Sequence, residues 1–462
     1  MLALKTFHIF RHGGETCCLN GDDLTVQVVD ASSARLLAGI VHDPGQAESP
    51  KARSVLNKLD LLRVEAAKLP PPLAPGPVSA LTLIITQRCN LRCVYCYGQG
   101  GDKSDGDMPE ETAFAAVDWL IKQSGAQSNL TVAFFGGEPL LNFPVMRRTV
   151  EYAKLRCAQA GKEISFSLTT NATLLGDEES CWVAREIGSV AVSCDGPRDI
   201  HDARRPRQGG GGSFAAVSDG LTKLLGQGFS TGERLLGRAV WSGDDNPRTV
   251  RDALAGMGFP GISLGQASPP LHSKKTGPLP QPRDLSPLEA LAEEEAAAVR
   301  SRVKAREDNT GRLTPLGTPI ALVLQRLLNR EPRMFFCGRG RSSLAVSDRG
   351  GLYPCHRFVG DKTTKLGDLD TGTKGREVHC ASPVVRQRPC VSCFAKYLCG
   401  GGCAHDHLGM TGAATVPAPD FCWLMRRQTE IAAALSLELD ADDRAWLVKL
   451  KIVEPHYCPL DF

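Results

Sequence analysis

No stretch of this chain approaches the roughly 18 consecutive apolar residues expected of a membrane-spanning helix. Its first segment, Met1 to Arg11, carries Lys5 and Arg11 and has no apolar run long enough for a secretion signal. These two absences predict a soluble, cytoplasmic protein with no membrane partner. Charge of one sign is lacking as well. Lys+Arg 54 stand against Asp+Glu 51, a formal net charge of +3, too little for a general basic field aimed at nucleic acid. Internal repeats are absent, so a stacked-repeat architecture is not expected.

What the chain has is length and cysteine. Its 462 residues, 42% hydrophobic, exceed what one core holds, because single cores seldom grow past roughly 250 to 300 residues. Two or three domains are expected. Seventeen cysteines in a chain without an export signal do not read as a disulfide framework, since cytosolic thiols stay reduced. Metal or catalytic chemistry is the better reading. Three cysteines lie within eight residues, at Cys89, Cys93 and Cys96, and eight more fall between Cys337 and Cys422. The other six, Cys17, Cys18, Cys157, Cys181, Cys194 and Cys458, are scattered and read as small buried hydrophobes.

Residues 1–75 hold short strand-like stretches such as Leu24 to Val29 and a helical pattern at Ser32 to Val41, closed by the prolines of Pro70 to Pro77. They predict a small accessory domain. From Leu81 apolar strands alternate with amphipathic helices: Leu81 to Thr86, Leu130 to Phe135, Ile164 to Thr169, Val190 to Cys194, Leu235 to Trp241 and Ile262 to Gln266. Such alternation implies parallel pairing with right-handed crossovers. Over residues 80–270 it predicts an α/β fold, a partial (β/α)6 TIM-like barrel with its site at the C-terminal strand ends. Residues 271–330 read as a linker, Pro-rich from Pro269 to Pro282, followed by helices at Pro287 to Glu307 and Pro319 to Leu328. A cysteine-rich domain over 331–430 and a C-terminal helix and tail over 431–462 complete the expected order.

Directly after the first strand comes a CxxxCxxC loop, Cys89-Asn90-Leu91-Arg92-Cys93-Val94-Tyr95-Cys96. Three thiolates this close can cap three corners of a 4Fe-4S cube and leave one iron without a protein ligand. Zinc is the alternative, but it takes four ligands and no fourth Cys or His lies nearby. With this loop the sequence resembles the radical S-adenosylmethionine (SAM) superfamily over residues 80–270. The resemblance implies that the open iron chelates SAM and cleaves it to a 5′-deoxyadenosyl radical, the protein supplying aim and exclusion of water.

Later strand ends carry matching motifs. Gly136-Gly137-Glu138-Pro139 is similar to the family's GGEP, which receives the SAM amino group. Thr170-Asn171 resembles the motif near the ribose, although an Asn there is also an ordinary helix cap. Ser193-Cys194-Asp195-Gly196-Pro197, followed by His201, Asp202 and Arg205, resembles the block of peptide- and protein-modifying members. The resemblance implies that Ser193 and Arg205 hold the SAM carboxylate or ribose hydroxyls, and that Asp195 and His201 orient. Tyr95 either contacts adenine or is a packed core tyrosine. No residue is assigned as the catalytic base.

The second field runs Cys337, twelve residues, Gly350, four residues, Cys355, then Cys390-x2-Cys393-x5-Cys399-x3-Cys403 and eighteen residues to Cys422. This order and spacing resembles the SPASM domain, a C-terminal extension of peptide- and sulfatase-maturing radical SAM enzymes. The resemblance implies two auxiliary clusters, the outer on Cys390, Cys393, Cys399 and Cys422, the inner on Cys337, Cys355 and Cys403. With the first that makes three 4Fe-4S clusters. The inner fourth corner is left to Cys380, to a non-cysteine ligand or to an open position. His405 and His407 read as solvated surface histidines rather than ligands. A zinc knuckle with no chemistry is the alternative of another class.

The resemblance implies a maturase of a ribosomally made precursor peptide. The radical would abstract hydrogen from a residue and a thioether or carbon-carbon crosslink would close. An anaerobic sulfatase-type maturase, oxidising Cys or Ser to formylglycine, is the alternative, with eight auxiliary cysteines expected against the seven that fit the spacing, Cys380 aside. An electron donor such as flavodoxin or ferredoxin is an implied partner. The accessory domain would add the precursor's leader as an extra strand.

Overall fold

The computed structural model describes residues 3–63, 74–98, 106–229, 234–243, 245–267, 284–306, 312–313 and 316–452. The expected Pro269 to Pro282 linker and Cys458 lie outside them, as does the start of the Pro70 to Pro77 run. The chain opens with a three-stranded antiparallel sheet, β1 (Phe7–His12), β2 (Glu15–Asn20) and β3 (Thr25–Val29), in that order, followed by α1 (Ala31–His42) and α2 (Pro50–Lys58). Asp30 caps α1 by accepting from the amides of Ser32 and Ser33, which satisfies two of the donors a helix start leaves unpaired.

The alternating region forms as expected: β4 (Ala80–Thr86), α3 (Glu110–Gln123), β5 (Asn129–Gly136), α4 (Phe143–Gln159), β6 (Glu163–Thr170), α5 (Asp177–Glu186), β7 (Ser189–Ser193), α6 (Arg198–Arg204), α7 (Phe214–Gly226), β8 (Leu235–Trp241), α8 (Pro247–Gly256) and β9 (Gly261–Gln266). Strands β4 to β9 pair in sequence, each parallel to the next. Strand β4 is buried along its whole length, the run of apolar residues that a parallel strand covered on both faces requires. Leu81, Leu83, Phe134, Phe166, Val190 and Leu235 share the core beneath the helices.

The sheet does not stop at β4 or β9. After α9 (Ser286–Ala305), β10 (Leu316–Gly317) adds parallel to β9, and α10 (Ile320–Asn329) follows. Strand β11 (Ser343–Val346) pairs parallel with β4, and β12 (Gly351–Tyr353), β13 (Gly367–Asp368) and β14 (Gly372–Thr373) continue antiparallel. The cysteine-rich segment therefore enters the same sheet, and its Leu344, Val346 and Leu352 belong to the barrel core.

A second core joins pieces that the sequence reading separates. Phe10 and Leu19 of the N-terminal sheet, Val303 of α9, Leu324 of α10 and Ile431 of α11 (Pro419–Glu438) pack together with Leu447 of α12 (Ala441–Lys449). The accessory sheet buries one face on the helices from beyond the barrel, and His8 of β1 reaches Glu430 of α11 at 3.0 Å. Among the scattered cysteines Cys17, Cys18, Cys157 and Cys194 are buried, whereas Cys181 is exposed, since it lies on the outer side of α5. No described helix is long and apolar enough to cross a membrane.

Candidate functional site

The CxxxCxxC loop follows β4 and lies across the ends of its neighbours. Gly136 has φ +153°, and a Cβ there would sit 2.1 Å from the Thr86 carbonyl oxygen; at Gly137 a Cβ would sit 2.1 Å from that of Arg88. Only residues without a side chain let the two backbones touch. The contact is then hydrogen-bonded: Gly137 N–H donates to Thr86 O and Glu138 N–H to Arg88 O, both at 2.9 Å. The paired glycines thus brace the entry to Cys89 before any cofactor is considered.

Glu138 is fully buried. One carboxylate oxygen accepts from Thr170 Oγ1 (2.7 Å) and the Leu140 amide (3.1 Å), the other from the Asn171 amide (2.6 Å). Burial pushes its carboxyl up to about 7 against the pull of these donors. It ties the end of β5 to the end of β6. Asn171 donates in turn from Nδ2 to Asn90 Oδ1 at 2.8 Å, and Asn90 Nδ2 donates to Thr173 Oγ1 at 2.8 Å. Asn90, inside the cysteine loop, was not singled out from the sequence; its place beside a TN motif exists only after folding.

The block after β7 holds the other side. Arg205 donates from Nε and Nη2 to the two oxygens of Asp195, at 2.9 and 3.0 Å, and both residues are buried. Tyr95 O–H donates to the same carboxylate, and the Val240 amide donates to it at 2.9 Å. Although burial works against it, Arg205 and these donors hold the Asp195 carboxyl below the usual carboxylate range. The planar fork of Arg205 thus meets Asp195, and Tyr95 sits under it with the guanidinium 5.4 Å from the ring centre. Ser193 closes β7 and is half-buried. His201 is buried, accepts from the Asp195 amide at Nδ1 (3.3 Å) and meets Ser213 at Nε2 (3.0 Å). Burial lowers it to about 4, which leaves it neutral.

The loop's own amides complete the frame. Arg92 N–H donates to Pro206 O (2.7 Å), Val94 N–H to Arg204 O (2.9 Å) and Gln208 N–H to Asn90 O (2.9 Å). Cys89, Cys93 and Cys96 are mutual electrostatic neighbours, with Glu138 beside Cys89 and Arg205 beside Cys93. Burial pushes the Cys89 thiol up to about 12 and raises that of Cys93. Metal loading must therefore displace protons.

In the second field Cys390, Cys393, Cys399 and Cys422 line one cavity, together with Phe421 and Met425. Burial raises Cys390 to about 11 and Cys399 to about 12, and Arg426 donates to the Cys393 sulfur. Four thiols around a mostly apolar cavity suit a cube, which takes one thiolate at each iron. Among the described residues no three His, Cys, Asp or Glu side chains converge closely enough for a single metal ion. Cys355 and Cys403 lie separately around the half-buried Arg357, which reaches Cys403 Sγ at 3.7 Å and Asp406 at 2.7 Å, and Cys337 is an electrostatic neighbour of Cys403. Cys380 instead faces its own helix turn, with its sulfur 3.2 Å from Glu377 O.

His405 and His407 are buried, not solvated. His407 meets Gly401 O at 2.8 Å and accepts from the Ala418 amide at 3.2 Å, which folds the chain around the glycine turn after Cys399. Tyr97, just past Cys96, was not singled out either. It is half-buried beneath Arg357, 5.1 Å from ring centre to guanidinium carbon, and edge-on to His405 at 5.7 Å. Through Tyr97 the two cysteine fields touch.

Residues 83–255 match the model of the Radical SAM superfamily. The chain is 35% identical over 130 residues to an uncharacterised protein of Methanocaldococcus jannaschii, a match spanning 28% of this chain and 43% of that protein. It is 25% identical over 365 residues to the serine-type anaerobic sulfatase-maturating enzyme of Klebsiella aerogenes, covering 74% of this chain and 83% of that enzyme. In structure it is similar to anSMEcpe with bound AdoMet and Cp18Cys peptide, with a TM-score of 0.63 and 20% identity over 79% of this chain and 98% of that one.

Proposed function

We propose that the chain, whose residues 83–255 match the Radical SAM superfamily, is a radical SAM enzyme of the maturase type that modifies a residue of a ribosomally made precursor peptide by closing a thioether or carbon-carbon crosslink. The observation that carries the proposal is the meeting of two cysteine fields at Tyr97, one group of three braced at the strand ends and seven more in two groups beyond.

In this reading Cys89, Cys93 and Cys96 hold the cluster that binds SAM, and Cys390, Cys393, Cys399 and Cys422 hold the outer auxiliary cluster. The inner one rests on Cys337, Cys355 and Cys403. When bound, the first cluster and SAM supply a 5′-deoxyadenosyl radical for hydrogen abstraction. The residues around them orient and exclude water. Gly136 and Gly137 brace the cysteine loop, and backbone carbonyls at this strand end receive the SAM amino group. Glu138 and Asn171 fix the two strand ends, and Arg205 and Tyr95, locked on Asp195, hold the opposite wall near Ser193. SAM binding reaches Arg205 through this lock. The precursor's leader docks on β3, which among the described residues pairs only with β2 and exposes Gln27 and Val28; strand addition needs such an edge. A flavodoxin- or ferredoxin-type donor supplies electrons.

The sulfatase-type reading has its own support in the similarity to the Klebsiella enzyme and to anSMEcpe. One experiment separates the two. Anaerobically reconstituted protein, SAM and a low-potential reductant are incubated with the short peptide encoded beside the gene and, separately, with a sulfatase-derived Cys or Ser peptide. Crosslinking yields the first peptide short of two hydrogens and inert to hydrazide reagents; formylglycine formation yields the second peptide carrying an aldehyde that hydrazides label. Colourless protein loaded with zinc would sink both.

A further inference from the structure

The loop between Cys393 and Cys399 is gripped by a segment almost four hundred residues away in sequence. Gly21, in the turn after β2, lies so close to it that a Cβ would sit 2.3 Å from the Phe394 carbonyl oxygen. The His8 ring of β1 stacks on Phe394 with centroids 4.0 Å apart. Between these contacts Lys396, its side chain 1% exposed, lines the four-cysteine cavity and sends its ammonium into the N-terminal sheet. There it donates to Thr6 Oγ1 at 2.7 Å and to Asp22. Asp22 is held from behind by Arg63 Nε at 3.1 Å and by Thr6 at 2.8 Å. Lys396 lines the cavity beside Cys393 and is its electrostatic neighbour, so a carboxylate of the accessory domain and the thiols of the outer site share one ammonium.

We propose that the N-terminal domain is a working part of the outer cluster site, its Asp22–Lys396 ion pair setting the cluster's redox potential while its Gly21 turn holds the ligand loop in shape. The inference rests on the reading that Cys390, Cys393, Cys399 and Cys422 hold a cluster. Charges act strongly across a desolvated interior, and net charge close to a cluster is one of the levers on its potential. The pair presents its positive end to the thiolates and its negative end to the accessory sheet. Asp22 removed, the ammonium is uncompensated and favours the added electron. Lys396 removed, the thiolates lose their nearest cation on that side and disfavour it. Asp22 and Lys396 are positioning residues, since neither touches the reacting atoms.

The test uses full-length, anaerobically reconstituted protein and an EPR-monitored redox titration. Asp22→Asn should raise the potential of one C-terminal cluster and Lys396→Gln should lower it. Each should change the reduced-to-oxidised ratio at fixed potential by at least tenfold, about 59 mV for a one-electron couple. Asp22→Glu, which keeps the charge, should return to near the wild-type value. The cluster that responds to SAM should not move. Iron analysis comes first: wild-type protein with iron at the SAM site alone overturns the cluster reading, whereas full iron with potentials unmoved, or moved in the same direction, overturns only this inference. A second measurement does not depend on loading. In metal-free protein Gly21→Val should speed alkylation of Cys393 and Cys399 severalfold relative to the exposed Cys181, and unchanged labelling would overturn the clamp.

Discussion

Around Cys89, Cys93 and Cys96 nearly every turn of the chain is answered by a strand end or by the segment after α6, through backbone bonds such as Arg92 N–H to Pro206 O. From Gly350 to Cys403 regular structure thins to four-residue helices, such as Arg388–Val391 and Lys396–Cys399, and strands of two or three residues, and only Cys422 sits on a long helix, α11. Arginines substitute for a ladder there. Arg376 donates to the carbonyls of Gly340 (2.8 Å) and Gly76 (2.6 Å), and Arg333 to that of Phe335 (3.2 Å). The first site is built by the barrel. The second is a loop framework that metal binding would stabilise further, because binding there is folding free energy.

The hardest break is at the first site. Replacing Cys89, Cys93 and Cys96 together with Ala should abolish formation of 5′-deoxyadenosine, measured by chromatography, and lower iron by about one third if three cubes are present. Circular dichroism and the C-terminal iron should persist, since the barrel already holds the loop. Cys393→Ala should do the reverse: deoxyadenosine still forms, modified peptide does not, and limited proteolysis cuts the segment between Cys337 and Cys422 faster. Normal peptide modification by that variant would show either that the outer cluster is only structural or that the ligand pairing is wrong.

Gly137→Ala asks whether the brace matters without touching a ligand. Its Cβ would overlap backbone on the Arg88 side, so we expect a loss of several kcal/mol, in the range reserved for overpacking and backbone strain, read by denaturant melting together with lost SAM cleavage. Arg205→Lys keeps the charge and loses the fork to Asp195, at about 1.5 to 3 kcal/mol for a charge-assisted contact. SAM affinity should fall with it, by calorimetry.

How much of this was legible beforehand follows from range. All six barrel strands were readable within a residue or two because apolar runs are local signals, and the cysteine groups were readable because ligand spacing is local too. The Glu138 staple was not, since Thr170 and Asn171 join it across the sheet. Nor was the partner of Arg205: Asp195 stands ten residues back, and nothing in the string says that its carboxylate takes the guanidinium. His405 and His407 looked like surface polar residues and are buried because aromatic rings, Tyr97 and Phe421, close over them. The Lys396–Asp22 pair was the least legible, two ordinary charges that only the fold introduces.

The smallest effect tests the seam between the accessory sheet and the C-terminal helix. Glu430 is held below the usual carboxylate range by its bond to His8, with Arg427 adding to it. A depressed carboxyl stabilises above its unfolded value, about 4.3, and loses that contribution as pH falls through its lower folded value. Melting of the metal-free chain between pH 7 and pH 3 should therefore weaken in wild type, and slightly less steeply in Glu430→Gln.

Strand β4 has a cysteine loop at its end and a strand of the C-terminal cysteine segment along its side, in register from Ser343 opposite Ala80 to Val346 opposite Leu83. Cutting the chain before β11 would not release a self-contained barrel. It would leave a fully buried parallel strand with a row of open amides and carbonyls, an adhesive edge of the kind that recruits other chains. Exchange of C-terminal segments among relatives, by evolution or by design, must therefore carry β11 with it. A hybrid joined just after α10 keeps the edge covered, and one joined after Val346 inherits a mismatched seam.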